Sequence, residues 1–357
     1  MGGKVLFIGG PGTISTGAIG ELVAAGWDVN VLTHHKDPAP DLAARFLWGD
    51  RDDAADLITA RDEVRPDVIL DTCAYTTDQV RQALDVFAAP GRQYVFVSTV
   101  DVFGYPLSRL PVRETDPERE PNSAYALAKR DCEQLVNDAG SAGRIAVTII
   151  RPGYSMGPRF VIGFFSRLGG RTMLRRLQEG KPIVVPGDGS TLFQPGTGID
   201  TGRLMARVVG EPGAYGGLFT CAGPEVMSHD DYVARMADVV GVTPMVVHVP
   251  TEFILALDAR DVDSTILDAD GSILPVLTRF HFAYSNDAII GLGGPFEPVV
   301  RPREAIAAHL AWLDEHGWPE TTEGPDDRLI RRYERARETF LASDDQPEVS
   351  ALRPRVT

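Results

Sequence analysis

The chain has 357 residues, 43% of them hydrophobic and 24% charged, which supports a sizeable globular core and excludes a fibrous or wholly disordered protein. Its formal net charge is −15, a field that repels phosphate backbones and argues against nucleic-acid binding. Three widely spaced cysteines without a CxxC, no signal-peptide pattern, and no apolar run near the ~18 residues of a membrane span exclude a disulfide framework and a membrane anchor, and lead to the expectation of a cytoplasmic protein.

The first half alternates strand and helix signals. Lys4 to Ile8 (KVLFI) reads as a buried strand, followed by a Gly-rich turn and a helix through about Ala25. Further strands are predicted at Asp28 to Thr33, Arg45 to Trp48, Asp67 to Thr72, Tyr94 to Ser98 and Ile145 to Ile150, with a helix over Ala124 to Asn137. Strands separated by helix-length segments imply an α/β fold, a Rossmann-type doubly wound parallel sheet with right-handed crossovers. Beyond Pro158 the pattern loosens. Gly169 to Pro195 reads as loops with short elements, Asp200 to Val209 as a helix, Leu218 to Ala222 as a strand returning to the sheet, and His229 to Val240 as a helix. Residues 245 to 320 read as a mixed lobe ending in the helix Arg303 to His316, and Asp327 to Ala342 as a charged helix. The expected organisation is a nucleotide-binding domain over 1–158 plus about 196–228, a substrate lobe over about 159–195 and 229–320, a C-terminal helix over 321–342, and a disordered tail over 343–357.

The turn Gly9-Gly10-Pro11-Gly12-Thr13-Ile14-Ser15 lies between the first strand and its helix. Glycines let a backbone approach a pyrophosphate, and the helix N-terminus supplies N–H donors, so this turn is a candidate dinucleotide site. Ser15 replaces the usual third glycine and is small enough for close packing. The second strand ends Thr33-His34-His35-Lys36, without the acid that NAD-preferring sites place there. The cofactor is therefore NAD or NADP, with a lean to NADP.

Tyr125 and Lys129 form a YxxxK pair on one face of a predicted helix. A phenol has a pKa of about 10, and an ammonium one turn away favours the phenolate. Such a tyrosine can take the proton of a substrate hydroxyl while hydride leaves. Thr99, closing the fifth strand 26 residues before Tyr125, offers a hydroxyl to the same substrate oxygen.

With these segments together, the chain resembles the extended short-chain dehydrogenase/reductases, the superfamily of nucleotide-sugar epimerases and dehydratases. GGPGTIS at the start, VFVSTVDVFG over 95–104, YALAK over 125–129, IIRPGYSMGP over 149–158, PIVVPGDG over 182–189 and the late EAIAAHLAWLDEH carry the resemblance. It is most similar to an atypical branch with GGxGxxS, which includes uncharacterised bacterial epimerase/dehydratase sequences and a chloroplast RNA-binding group. The resemblance implies Thr99, Tyr125 and Lys129 as catalytic residues and a homodimer. It implies cofactor contacts from Gly9, Gly10, Gly12, Thr13, Ile14, Ser15, Thr33, His34, His35, Asp50, Arg51, Thr72, Cys73, Ala74, Ser98 and Pro152, with Tyr125 and Lys129. Asp50 stands where an acid commonly meets the adenine amino group.

The departures bear on substrate. Thr99 is followed by Val100-Asp101 rather than the Asp-Glu pair of 4,6-dehydratases, so Asp101 either faces substrate or is a structural loop acid. Tyr154 replaces the epimerases' asparagine. Phe193-Gln194 stands where an arginine holds a nucleotide diphosphate, and a guanidinium is the natural fork for that group. Tyr154 and Phe193 could stack on a base, line an apolar pocket, or simply pack in the core. Arg279 could substitute for the missing arginine or be an ordinary exposed arginine. No histidine pair has metal-ligand spacing. Two enzyme readings stand: an epimerase acting on a sugar or sugar nucleotide by transient oxidation of a ring hydroxyl, and a net NAD(P)H-dependent ketoreductase. A non-catalytic cofactor-sensing or RNA-binding protein is the third reading.

Overall fold

The structure is a computed structural model that describes residues 2–34, 42–164, 169–256, 279–318 and 325–342. The first half builds β1 (Lys4–Ile8), α1 (Ser15–Ala24), β2 (Asp28–Thr33), β3 (Arg45–Trp48), α2 (Ala54–Val64), β4 (Val68–Asp71), α3 (Thr77–Phe87), β5 (Gln93–Val97), α4 (Ala124–Ser141) and β6 (Ala146–Pro152). There follow β7 (Ser155–Met156), α5 (Gly169–Gln178), β8 (Ile183–Pro186), β9 (Leu192–Phe193), β10 (Gly196–Thr197), α6 (Gly198–Ala206), β11 (Leu218–Cys221), β12 (Met227–Ser228), α7 (His229–Val240), β13 (Val246–Val249) and α8 (Thr251–Ala256). Three more helices cover Asp287–Gly293, Pro302–His316 and Pro325–Ala342.

The main sheet has seven strands in the order β11-β6-β5-β4-β1-β2-β3, and every pairing is parallel. This is the doubly wound arrangement expected from the alternating pattern. Its inner strands are short and apolar because both faces are covered, whereas the edge strand β3 leaves Arg45 and Trp48 exposed. In β1 the period-two geometry sends Val5 and Phe7 to a core shared with α1 and α6, and Leu6 and Ile8 to a core shared with α2, α3 and α4. Strand order reverses between β1 and β4, so a crevice opens there at the carboxyl ends of the strands.

Helices α1 and α6 cross on bare backbone. A Cβ on Gly17 would lie 2.2 Å from the Ile199 carbonyl oxygen, and one on Gly198 would lie 1.9 Å from that of Thr13. Glycine at these positions fixes the start of α1, and with it the Gly-rich turn.

A third core joins Val100, Phe103 and Tyr105 to Met156, Phe164, Phe193, Tyr232, Phe282 and Tyr284. The expectation that 169–195 is mostly loop is corrected. Gly169–Gln178 is a ten-residue helix that buries Met173, Leu174 and Leu177, and Arg176 is paired with Asp327 at 2.9 Å. Its polar and glycine-rich composition hides an apolar stripe that only the partner elements reveal. The expected tail over 343–357 lies outside the described residues.

Candidate active site

Helix α4 starts at Ser123, whose hydroxyl accepts from the Ala126 N–H at 3.1 Å. This cap fixes the first turn, so Tyr125 projects at the helix N-terminus and is 42% exposed. The positive end of the helix favours negative charge there. Lys129 lies one turn deeper and is 2% exposed. Its Nζ donates to the carbonyls of Ala74 at 2.7 Å and Val97 at 2.8 Å. The ammonium also lies 4.9 Å from the ring centres of Tyr75 and Phe96, and 6.0 Å from that of Tyr125. Burial lowers the Lys129 pKa to about 8, against the opposing attraction of Asp71. The predicted pair is thus brought together.

Thr99 caps a 3-10 turn at Val100–Phe103. Its Oγ1 accepts from the Asp101 N–H at 3.3 Å and donates to Asp101 Oδ2 at 3.2 Å. Tyr154 donates to Asp101 Oδ1 at 2.5 Å and Tyr105 donates to the same oxygen at 3.3 Å. Tyr105 is also hydrogen-bonded to Tyr284. Burial raises the Asp101 carboxyl above its ordinary range, opposed by the hydrogen bonds from Tyr154, Thr99 and Tyr105.

The residues of the Gly-rich turn meet the demands of a dinucleotide. Gly9 and Gly10 have φ of 86° and 114°, and a Cβ on Gly9 would lie 2.5 Å from Cys73 Sγ. Ser15 Oγ accepts from the Gly12 N–H at 2.7 Å, which folds the turn on itself, and Ile14, at the N-cap of α1, makes no side-chain cap bond. Thr13 sits against α6, and Thr72 Oγ1 and Cys73 Sγ both donate to the Ile8 carbonyl, at 3.0 and 3.4 Å. Burial pushes the Cys73 thiol up to about 12, so it is no nucleophile near neutrality. Ser98 is 4% exposed and its Oγ has no hydrogen-bond partner among the described residues, which a bound cofactor or substrate would supply. Thr33 is buried at the end of β2, His34 is exposed beside it, and His35 lies outside the described residues. Asp50 is exposed and accepts from the Asp52 N–H at 2.9 Å. Pro152 ends β6.

Several expected contacts are corrected by side-chain placement. Arg51 turns inward to Asp71 at 2.9 and 3.0 Å and to the Gln79 carbonyl at 2.7 Å, so its guanidinium ties β4 to α3. Phe193 is 1% exposed and packs on Tyr232 and His229, which is core packing. The Gln194 amide is consumed by the Gly223 carbonyl and by both backbone groups of Tyr284. Val100 is 1% exposed and belongs to the lobe core. Arg279 stacks over Phe280 at 5.5 Å and edges a cleft of about 500 Å³ that also includes Asp188, His248, Glu252 and Tyr333.

Sequence reasoning missed Tyr75, Tyr105 and Tyr284, since nothing local joins them to Lys129 or Asp101. Asp71 had a signal, an acid closing a fully apolar strand. It receives Arg51 and the Tyr94 hydroxyl at 2.8 Å beneath the crevice. Among the described residues no group of three or more His, Cys, Asp or Glu side chains could hold a metal, and no helix is long and apolar enough to cross a membrane.

A UDP-glucose 4-epimerase from Lactobacillus helveticus is 30% identical over 169 residues, 42% of this chain and 50% of that protein. The chain thus spans about half the length of that relative. A chloroplast stem-loop binding protein of 41 kDa from Arabidopsis thaliana is 26% identical over 70% of this chain and 67% of its own length. The Thermus thermophilus UDP-glucose 4-epimerase in complex with NAD superposes with a TM-score of 0.64 at 18% identity, covering 88% of this chain and 99% of that one, which shows the shared fold. The model of the NAD dependent epimerase/dehydratase family matches residues 5–213, more than half the chain. With the seven-stranded parallel sheet, this match shows that the chain belongs to the NAD dependent epimerase/dehydratase family, enzymes of the extended short-chain dehydrogenase/reductase type.

Proposed function

We propose that the protein is an epimerase that acts on a sugar or sugar nucleotide by transient oxidation of a ring hydroxyl. The observation that carries this reading is that Lys129 is buried one turn below the exposed Tyr125 and donates to the Val97 carbonyl, two residues before Thr99 at the carboxyl end of β5. When bound, NAD or NADP would supply reversible hydride acceptance. Gly9, Gly10, Thr13, Ile14 and Ser15 would cradle its pyrophosphate, and Ser98 and Pro152 would border its nicotinamide. Tyr125 takes the substrate hydroxyl proton as base and returns it as acid. Lys129 holds positive charge beneath the phenol. Thr99 hydrogen-bonds the reacting oxygen. The absence of an acid at the end of β2, with exposed His34 there, supports NADP over NAD.

A net ketoreductase is the second reading. It is favoured by the commitment of Phe193 and Gln194 to the interior, which leaves the diphosphate-gripping position without a side chain turned to ligand. A homodimer is carried over from the resemblance. The outer faces of α3 and α4 present Asp78, Arg81, Asp85, Asp131, Gln134 and Asp138, so any pairing there is polar.

The test is to identify cofactor released from acid-denatured protein and to incubate the native protein with UDP-glucose or UDP-galactose. Retained cofactor and interconversion of the two sugars support the epimerase. Cofactor-free protein that binds NADPH reversibly and consumes it with a ketone supports the reductase. Tight, salt-dependent RNA retention on a filter without turnover would overturn both.

A further inference from the structure

Lys129 is a buried ammonium without a carboxylate of its own. The titratable groups that face it are Asp71 from β4, Cys73 and Tyr75 from the loop after β4, and Tyr125, Cys132 and Glu133 from α4. Asp71 is bonded to Arg51 and Glu133 to Arg151, so both acids are committed to guanidinium groups. Burial holds both thiols up, at about 12 for Cys73 and about 11 for Cys132, so neither is a thiolate near neutrality. The nearest cover on the ammonium is therefore two carbonyls and two aromatic rings. The carbonyls are those of Ala74 and Val97, and the rings of Tyr75 and Phe96 are each centred 4.9 Å from Nζ.

We propose that Tyr75 is a positioning residue whose ring covers the Lys129 ammonium in place of water and holds it charged beneath Tyr125. This inference rests on the reading of Tyr125 and Lys129 as the catalytic pair. The face of an aromatic ring carries negative charge density, so it attracts an ammonium and gives a neutral amine no such gain. Water would also solvate the ammonium, but it would screen the field that reaches the phenol. A ring supports the cation without that screening.

The two rings differ in what else they do. Phe96 is fully buried in the core that the sheet shares with α2, α3 and α4, so its place is set by packing. Tyr75 is 50% exposed and belongs to none of the apolar cores among the described residues. Its backbone is pinned all the same. The Tyr75 N–H donates to Gln79 Oε1 at 2.7 Å, and Gln79 closes the capping box of α3. The carbonyl just before it, that of Ala74, accepts from Lys129. The Tyr75 ring also lies beside that of Tyr125, with centroids 6.4 Å apart. Tyr75 thus touches both members of the pair, and removing its ring empties no core.

The experiment is a ¹³C NMR titration of full-length protein labelled at lysine Cε. The chain has only four lysines, Lys4, Lys36, Lys129 and Lys181, and Lys129 is assigned by its loss in Lys129→Met. Tyr75→Leu keeps an apolar cover without a π face and is expected to lower the Lys129 midpoint by about one pH unit. Tyr75→Phe keeps the face and is expected to leave the midpoint in place. Tyr75→Ala admits water and is expected to bring the midpoint above that of Tyr75→Leu. A midpoint in Tyr75→Leu at or above the wild-type value overturns the proposal. So does a fall in Tyr75→Phe as large as in Tyr75→Leu, or a Tyr75→Ala midpoint no higher than that of Tyr75→Leu. This measurement needs no substrate, so it stands apart from the epimerase reading.

A kinetic arm uses UDP-glucose and UDP-galactose as probes and follows kcat/KM against pH. Tyr75→Leu is expected to move the alkaline limb of the profile down by about one pH unit, in step with the Lys129 midpoint, and Tyr75→Phe to restore it. A lower plateau with an unmoved limb would mean that Tyr75 acts other than through Lys129, and overturns the proposal. If the wild-type protein transforms neither sugar, the epimerase reading fails and the NMR result alone decides the role of Tyr75.

Discussion

The two sides of the candidate site hold their buried ionisable groups by opposite means. On the sheet side, Lys129 is held by two backbone carbonyls, and its helix is locked by Arg151, which is 2% exposed and bonded to Glu133 at 2.9 and 2.6 Å. On the lobe side, Asp101 is held by hydroxyls from three separate segments. Carbonyls accept and nothing else, so the lysine has one arrangement. Hydroxyls donate or accept, so the lobe side has more than one. The comparison separates a fixed electrostatic platform from an adjustable hydrogen-bond partner.

The largest expected effect falls on the fixed side. Lys129→Met should lower turnover by about 10²–10⁴-fold, the usual weight of acid–base assistance, with little change in fold. Steady-state kinetics and circular dichroism check this together. A loss under tenfold would break the contrast, since the platform would then be dispensable. The pH dependence has a definite sign. The folded Lys129 pKa of about 8 lies below the ordinary value of 10.5, so the unfolded chain binds more protons between these values. The contribution of Lys129 to stability therefore rises from about pH 8 to about pH 10.5 and is lost as pH falls below the folded value. In the proposed mechanism the ammonium that would support the phenolate disappears over the same rise, so kcat/KM, which reports the free enzyme, is expected to fall near pH 8. Lys129→Arg should move that limb upward.

Removing the anchor of the platform comes next. Arg151→Ala leaves Glu133 buried without its bidentate partner, and Glu118 loses a contact of 2.6 Å. A loss of about 3–5 kcal/mol in unfolding free energy is expected, measured by denaturant titration. A change below about 1 kcal/mol would mean that solvent replaces the pair, and the platform would be looser than its geometry.

The smallest effect tests the adjustable side. Tyr284→Phe removes one hydroxyl from the end of the chain that reaches Asp101 through Tyr105. About 0.5–1.5 kcal/mol of stability should be lost, with a modest rise in the Asp101 titration midpoint, read by ¹³C NMR, because Tyr105, no longer polarised by a donor, gives Asp101 a weaker hydrogen bond. A large loss of stability without any movement at Asp101 would show that Tyr284 serves the core only.

Much of the nucleotide-binding half was legible before the structure. KVLFI coincides with β1 because a strand covered on both faces is a continuous apolar run, and DVNVLT and RFLW coincide with β2 and β3, β-favouring runs bounded by turn residues. YALAK placed Tyr125 and Lys129 on one helical face, because the helix repeat brings residues four apart together. The sequence also determined the turn at Gly9 and Gly10, since positive φ and close contact with Cys73 leave no room for a side chain. Only the tertiary structure decided that Phe193 and Gln194 turn inward and that Arg51 serves Asp71. It alone brought Tyr105 and Tyr154 to the Asp101 carboxyl group and Tyr284 to Tyr105. These outcomes join residues up to 179 positions apart, from Tyr105 to Tyr284. Spacing along a chain encodes neighbours within a helix or strand, whereas the direction of a side chain in the lobe depends on which distant segment offers a partner for its buried polar atoms.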